Sequence, residues 1–388
     1  MQKFRTALKV LSVGLLFATA GCSVLSSMNP FASKPSTRNA PAPLVEFKPT
    51  LNAKTVWSTS VGKADNYAFT PALVRNDVFT AAADGTITRL DATSGQRVWR
   101  INAGMPLTAG VGSDGATIVV AGEKGVVLAF DSEGKLRWKA QASSEVLSTP
   151  AVGQDTVVVR SLDNRVVAYD AETGTRKWFV QRTLPPLTLR TSPGITIANS
   201  NAYIGLAGGR LLAVALATGA PRWEVAVGDP RGTTELERIA DISGAPFVSG
   251  RDICAVSYQG RIACFDVVSG TPRWGKAFSS DVGVDIDERA VYAANERGAL
   301  QAFARDTGTS LWQNEQLKNR RLSTPISSRV AVAVGDYQGY IHFFSKEDGL
   351  LLARVSTDGS AILGAPVLAG ANFIFQTQSG TVVAVAAE

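Results

Sequence analysis

Few residues of this sequence have the types and spacing that catalysis requires. Its one histidine, His342, lies in a segment whose apolar residues alternate as in a β-strand, which favours a buried structural role over a role as base or ligand. The three cysteines lack zinc-site spacing, and the chain has no Walker or Gly-x-Ser-x-Gly pattern. We therefore expect a protein without catalytic residues, metal site or cofactor.

Cys254 and Cys264 are the two cysteines whose spacing could support a bond. They flank a hairpin turn at residues 258–260, which would place them opposite each other on paired strands. In an exported protein such a pair can be oxidised. Two buried free thiols are the alternative, because cross-strand geometry is often poor for a disulfide. The sequence leaves both open.

Cys22 could carry a lipid. Residues 1–21 have a basic start, an apolar segment over residues 10–20 and small residues before Cys22, as in a secretory signal. This ending resembles a bacterial lipobox, although Thr19 stands where leucine is usual. The apolar segment is too short to span a bilayer. A plain signal peptide is the alternative. Residues 22–50, rich in Ser, Pro, Ala and Asn, are predicted to form a flexible tether after the lipidated cysteine.

The charge of the chain does not indicate a nucleic-acid partner. The formal net charge is +6, and removal of a leader containing Lys3, Arg5 and Lys9 lowers it to +3. The sequence contains no long run of like charges. We expect no nucleic-acid binding.

The elements that must position these residues repeat along the chain. A turn residue opens each copy at intervals of 38 to 51 residues, at Gly85, Gly125, Asn164, Gly209, Gly260, Gly298, Gly339 and Gly380. Alternating apolar runs surround each turn and predict four antiparallel strands per copy. Such a unit buries both faces only against its neighbours. We predict an all-β, eight-bladed β-propeller over residues 51–388.

The two ends of this region are expected to close the ring. The eight residues after Gly380 suffice for a third strand but not for an outer one. Residues 54–61 contain Trp57 without a blade of their own. Pairing them with the end of the chain would complete the last blade and remove an open edge.

All seven tryptophans fall on one position of the repeat, four residues after a glycine wherever a copy precedes them. A ligand platform would need one such place and not seven around a ring. We expect the side chains to fill the wedges between blades. The seventh copy has Ala353 at this position, which predicts a weaker wedge.

Two intervals of the repeat are longer than the rest. The extra residues lie at 181–191 and 228–243, in connections that open on one face and flank blade four. The first contains Leu184, Leu187 and Leu189 beside Arg190, and the second contains Glu235, Glu237, Arg238 and Asp241. Exposed apolar residues next to arginine are typical of protein-binding surfaces. Long loops without a partner are the alternative.

The repeat pattern A-x-D-x-x-[TS]-G-x-x-x-W resembles that of pyrroloquinoline-quinone dehydrogenases. With eight blades, a lipobox-like end and a tether, the chain resembles more specifically the BamB family of outer-membrane protein assembly factors. The specific match is Leu187-Thr188-Leu189-Arg190, followed by residues 238–241. The family usually has a second acid where this chain has Ser243.

This resemblance implies a non-catalytic lipoprotein of the BAM complex at the periplasmic face of the outer membrane, with Ser23 favouring that membrane. It implies BamA as partner, through a POTRA domain, together with other BAM subunits and unfolded outer-membrane proteins. The implied contact residues are Leu187, Leu189, Arg190, Arg238 and Asp241. Two alternative functions are a quinone-dependent dehydrogenase and an envelope propeller with another protein partner. The dehydrogenases need an adjacent Cys-Cys pair, which this sequence lacks.

Replacing Cys22 by serine should release the protein from the membrane fraction, because the short apolar segment cannot hold it there without lipid. Cell fractionation followed by immunoblotting measures this. Ser27→Ala, a change in the same segment, should leave the protein in the membrane fraction. Retention of Cys22→Ser in the outer membrane at high salt would show that lipid is not the anchor.

Overall fold

The computed structural model describes residues 39–190 and 193–388. The predicted signal, Cys22 and most of the predicted tether lie outside these residues. Within them the chain forms an eight-bladed β-propeller, which confirms the predicted fold. Among the same residues no helix is both long enough and apolar enough to cross a bilayer.

The strands within a blade follow one another in chain order. In chain order they are β1 (Ala53–Ser60), β2 (Ala72–Val74), β3 (Asp77–Ala81), β4 (Thr86–Asp91), β5 (Arg97–Asn102), β6 (Gly112–Ser113), β7 (Thr117–Ala121), β8 (Val126–Asp131), β9 (Leu136–Gln141), β10 (Ala151–Gly153), β11 (Thr156–Arg160), β12 (Arg165–Asp170), β13 (Arg176–Gln181), β14 (Ile195–Ala198), β15 (Asn201–Leu206), β16 (Arg210–Ala215), β17 (Pro221–Ala226), β18 (Ile242–Ser249), β19 (Asp252–Ser257), β20 (Arg261–Asp266), β21 (Pro272–Ala277), β22 (Val284–Ile286), β23 (Ala290–Ala294), β24 (Leu300–Ala304), β25 (Ser310–Asn314), β26 (Ile326–Ser327), β27 (Val332–Gly335), β28 (Tyr340–Phe344), β29 (Leu351–Ser356), β30 (Val367–Ala369), β31 (Asn372–Gln376) and β32 (Thr381–Ala387). A 3-10 turn at Glu123–Gly125 precedes β8.

Each blade is a four-stranded antiparallel sheet. Blade one contains β2–β5, and each later set of four strands forms the next blade through β26–β29 in blade seven. The second strand of a blade is buried along its whole length, as in Thr156–Arg160, or along all but its first residue, as in Asp77–Ala81, because neighbouring blades cover both of its faces. The outer strand, as in Arg176–Gln181, alternates between buried and exposed residues. The core therefore consists of layers between blades.

Blade eight closes the ring. Its strand order is β1-β32-β31-β30, and β1 pairs antiparallel with β32 from Ala53 opposite Ala387 to Ser60 opposite Thr381. This pairing confirms the predicted outer strand to within one residue at each end. It satisfies the edge of β32, which a linear array of blades would leave open.

The tryptophans seal the seams between blades, as predicted. In seven seams the indole Nε1 donates to a carbonyl oxygen in the turn of the next blade at 2.7 to 3.2 Å. The ring also packs on a glycine of that turn: Gly174 has a φ of +72°, and a Cβ there would lie 2.6 Å from Trp138. The four-residue spacing from glycine to tryptophan thus lets the tryptophan of one outer strand bind the glycine turn of the next blade.

The seam between blades seven and eight has no tryptophan because it has no turn to receive one. β32 and β1 are far apart in sequence, so no hairpin joins them. Instead Ala353 is buried against Leu51, whose amide donates to the Leu352 carbonyl at 3.3 Å. Phe343 and Phe373 meet edge to face across the seam, with ring centroids 5.2 Å apart. The weaker wedge predicted from Ala353 is therefore filled by another segment.

Residues 41–51, here called the strap, lie along blade seven. Arg320 Nη1 donates to the Ala42 carbonyl at 3.0 Å, and Arg354 donates to the Val45 carbonyl at 3.2 Å. The Arg354 guanidinium also lies over Phe47, at 5.2 Å from the ring centroid. This part of the segment is held by the ring, unlike the flexible tether predicted for residues 22–50. The arginines that hold it are distant in sequence, so composition alone could not indicate the contact.

Cys254 and Cys264 are register partners on β19 and β20 in blade five. Their Cα atoms are 4.1 Å apart, and both side chains are fully buried. The structure joins them by a disulfide. The oxidised pair, one of the two alternatives left open by the sequence, stays a prediction for the protein.

Trp57→Ala should lower the free energy of unfolding by about 3 to 5 kcal/mol, because it empties the wedge that locks blade eight to blade one. Denaturant unfolding followed by circular dichroism measures the change. Val56→Ala is the control: Val56 is adjacent on β1 but 46% exposed, and the change should cost less than about 1 kcal/mol. Equal losses in the two variants would show that Trp57 does not lock the ring.

Candidate protein-binding site

Two connections between blades are extended, as the long intervals predicted. Loop A, residues 182–190, follows β13, and loop B, residues 227–241, precedes β18. Each leaves an outer strand for the next inner strand, so both emerge on the same face of the ring beside blade four. The Arg182 and Arg210 side chains both pair with Glu224, at 2.9 and 3.1 Å, and fix the base of loop A to the outer strand of blade four.

Asp241 joins the two loops from a buried position. Its Oδ2 accepts a hydrogen bond from the Leu189 amide at 2.6 Å, and its Oδ1 accepts one from the Gly208 amide at 2.9 Å. Its side chain is buried. Asp241 therefore positions loop A on the central hairpin of blade four, whereas the sequence analysis expected a residue that contacts a partner directly.

A buried arginine lies beneath this junction. Burial lowers the pKa of Arg160 to about 10, against the opposing effect of the Asp241 charge. Burial likewise raises the pKa of Asp241, against its two amide donors and the Arg160 charge. Arg160 Nη2 also donates to Asn164 Oδ1 at 2.9 Å. Opposite charges thus stabilise each other at a desolvated point between the loops. Arg160 ends an ordinary strand, and no sequence signal marked it.

Arg190 pairs with an acid outside the two loops. Its Nη2 donates to Glu145 Oε2 at 2.6 Å, and its side chain is 69% exposed. Asp241 cannot take this role because its oxygens accept backbone amides. Glu145 comes from the connection between blades two and three, and no sequence pattern marked it. An exposed pair of this kind contributes little to stability, which leaves the guanidinium available to another protein.

Loops A and B also carry exposed leucines. Leu187 is 42% exposed and Leu184 is similarly exposed, while Leu189 is partly buried beside the Asp241 junction. Leu236, in loop B, is 67% exposed. Leu236 was missed from the sequence, although it lies in a loop already selected. Apolar side chains that are exposed on two joined loops, together with charged residues, suit contact with another protein.

Loop B is folded by its own polar side chains. Glu237 Oε2 accepts hydrogen bonds from the amides of Thr233 and Thr234 at 2.8 and 3.1 Å, which lower the pKa of this carboxyl. Arg238 pairs with Glu235 at 3.3 Å and remains half-exposed. The loop therefore presents Arg238 on its surface, while Glu237 is committed to its turn.

Ser243, where the resemblance implied a second acid, has a partner of its own. Its hydroxyl donates to the Ser280 carbonyl at 2.7 Å, and the side chain is buried. A carboxylate at this place would face that carbonyl oxygen. The second acid is therefore absent from the junction, and Asp241 alone receives the amides.

His342 has the buried structural position predicted for it. Its Nε2 lies 2.9 Å from Asp336 Oδ2, and Arg320 Nε donates to the same oxygen at 2.7 Å. Arg354 donates to His342 Nδ1, which assigns the histidine proton to Nε2. Burial lowers the pKa of His342 despite the neighbouring carboxylate. The residue supports blade seven beneath the strap.

Comparison with known proteins identifies the family. The family model described as "Outer membrane protein assembly factor BamB" matches residues 83–314. A protein of that name from Bordetella pertussis is 44% identical, over 97% of this chain and 96% of its own length. The chain belongs to the BamB family.

Solved structures agree with this membership. BamB from Moraxella catarrhalis superimposes with a TM-score of 0.79 at 26% identity, covering 86% of this chain and 100% of that chain. A quinohemoprotein alcohol dehydrogenase from Comamonas testosteroni has a TM-score of 0.68 at 14% identity, covering 86% of this chain and 76% of that one. The second similarity shows a shared fold only.

Asp241→Ala should release loop A from blade four, because two amides lose a charged acceptor, each such bond being worth about 1.5 to 3 kcal/mol. Hydrogen exchange of peptides covering residues 184–190 and 205–210 should accelerate. Asp229→Ala, which removes an exposed acid of loop B, should leave both peptides unchanged. Unchanged exchange in Asp241→Ala would contradict the positioning role.

Proposed function

We propose that this BamB-family chain is a non-catalytic subunit of the machinery that assembles proteins into the outer membrane. Its curated relatives are named outer membrane protein assembly factors. The observation that carries the proposal for this chain is the joined pair of loops, which presents exposed leucines and an exposed arginine on one face of a rigid ring.

The proposed partner at these loops is BamA, through a POTRA domain. Leu187 and Leu189 would supply a small apolar anchor, and Arg190 and Arg238 would supply charge at its border. Asp241 would act as a positioning residue, because its carboxylate is occupied by loop A and blade four. We add Leu236 to the candidate contacts on the strength of its exposure.

The scaffold role follows from how the polar groups are used. The buried acids and arginines that could serve chemistry instead hold loops and strands: Asp241 binds two amides, and Asp336 binds His342 and Arg320. A rigid ring can hold partner-binding loops in a fixed position without changing its own conformation. The proposal includes attachment at the periplasmic face of the outer membrane through Cys22, neighbouring BAM subunits and transient contact with unfolded outer-membrane proteins.

Leu187→Ala with Arg190→Ala should weaken binding to purified BamA POTRA domains by about 2 kcal/mol or more, roughly thirtyfold in Kd, because anchors beside charged residues dominate such contacts. Calorimetric titration measures the affinity. Thermal stability should stay unchanged, since neither residue belongs to a strand.

Leu350→Ala provides the matched control. Leu350 is 60% exposed but lies on blade seven, so its removal should not change the affinity. If the double variant binds as well as the wild type, the interface lies elsewhere on the ring. Quinone-dependent substrate oxidation by the purified protein would instead contradict the scaffold role itself.

A further inference from the structure

An arginine-lined groove lies between the outer parts of blades two and three. It encloses about 460 Å³, and no carboxylate lines it. Phe179 forms its exposed wall: 47% of this residue is accessible, and it is the one aromatic among the exposed large apolar side chains of the described residues. The Phe179 ring covers one side of the neighbouring guanidinium groups and keeps water from that side of their positive charge.

Two guanidinium groups flank the ring. The Arg165 carbon Cζ lies 4.6 Å from the Phe179 centroid, and that of Arg176 lies 5.5 Å from it. Arginine stacked on an aromatic face keeps its N–H edge free for a carboxylate. Within the described part of the chain neither arginine forms an ion pair, and the buried Nε of Arg165 has no hydrogen-bond partner.

The repeat supplies an internal comparison. Arg165 and Arg210 begin the third strands of blades three and four, and each lies opposite the residue three places after the tryptophan. In blade four, Glu224 follows the tryptophan and pairs with Arg210 at 3.1 Å. In blade three the residue after Trp178 is Phe179. Blade three therefore retains the arginine but replaces its acid with an exposed phenyl ring.

The residue after the tryptophan is polar, charged or glycine in the other Trp-bearing blades, at Ser58, Arg100, Lys139, Glu224, Gly275 and Gln313. A phenylalanine is thus not required by the seam. Arg261, which begins the third strand of blade five, also has an acid, Asp229 at 3.7 Å. Of these three arginines only Arg165 lacks one.

We propose that this groove binds an acidic segment of another protein, with one carboxylate pairing with the Arg165 guanidinium beside Phe179, as Glu224 pairs with Arg210 in blade four. An adjacent apolar side chain would rest on Phe179, and Arg176 would add a second positive charge. The bidentate geometry of a guanidinium selects a carboxylate over an amide. This surface is separate from loops A and B and does not depend on the proposed contact with BamA.

The test uses the full propeller and a fluorescent peptide in which two glutamates flank a phenylalanine, compared with a peptide that has glutamines instead. Fluorescence anisotropy should show binding of the glutamate peptide and at least tenfold weaker binding of the glutamine peptide. Arg165→Ala should weaken the glutamate peptide by roughly tenfold. Binding should also weaken as salt rises.

Two further variants make the test specific. Phe179→Glu should abolish peptide binding, because the new glutamate can pair with Arg165 as Glu224 pairs with Arg210. Arg97→Ala is the control. It removes an exposed arginine two residues before Trp99 in blade one, the repeat position that Arg176 has in blade three, and should leave the affinity within twofold. The Leu187 and Arg190 double variant should bind the peptide normally, which separates this surface from the BamA contact. Equal binding of both peptides, or unchanged binding in Arg165→Ala or Phe179→Glu, would overturn the proposal.

Discussion

The contact between an indole and the glycine turn of the next blade holds this structure together. The seven tryptophan seams contain the same three parts: a large flat ring, a glycine with positive φ in the facing turn, and a carbonyl that accepts the indole N–H. A blade buries its second strand only if both neighbours are in place. The seams therefore depend on one another around the ring, and stability is a property of closure as well as of the individual blades.

Closure explains the one departure from the pattern. The last blade is assembled from both ends of the propeller region, so it has no hairpin turn between β32 and β1. Residues 50–52 instead bond to Leu352 and Glu388. The strap then continues along blade seven over Arg320 and Arg354. The same segment thus covers the seam and starts the strand that closes the ring.

The rigid ring also determines how the irregular parts behave. Loop A and loop B are long, but both are held in place. Asp241 of loop B accepts hydrogen bonds from the Leu189 amide of loop A and from the Gly208 amide in blade four. At the base of loop A, Arg182 and Arg210 both pair with Glu224. These contacts reduce the conformational entropy that a binding surface would otherwise lose on association. In blade three, where Phe179 replaces the acid, the same framework leaves an arginine unpaired. Both proposed binding surfaces therefore lie where the repeat departs from its own pattern.

The sequence by itself determined the number of blades, the strands in each, the tryptophan seams and the closing strand, because these depend on local periodicity and on spacing within one repeat. It also selected the two loops and Leu187. Tertiary structure decided what each polar residue does. Asp241 meets the Leu189 amide across 52 residues of sequence, Arg190 meets Glu145 from another blade connection, and Arg320 holds Ala42. Such pairs form only when the ring brings distant segments to one face, and a composition or a local pattern contains no information about that distance.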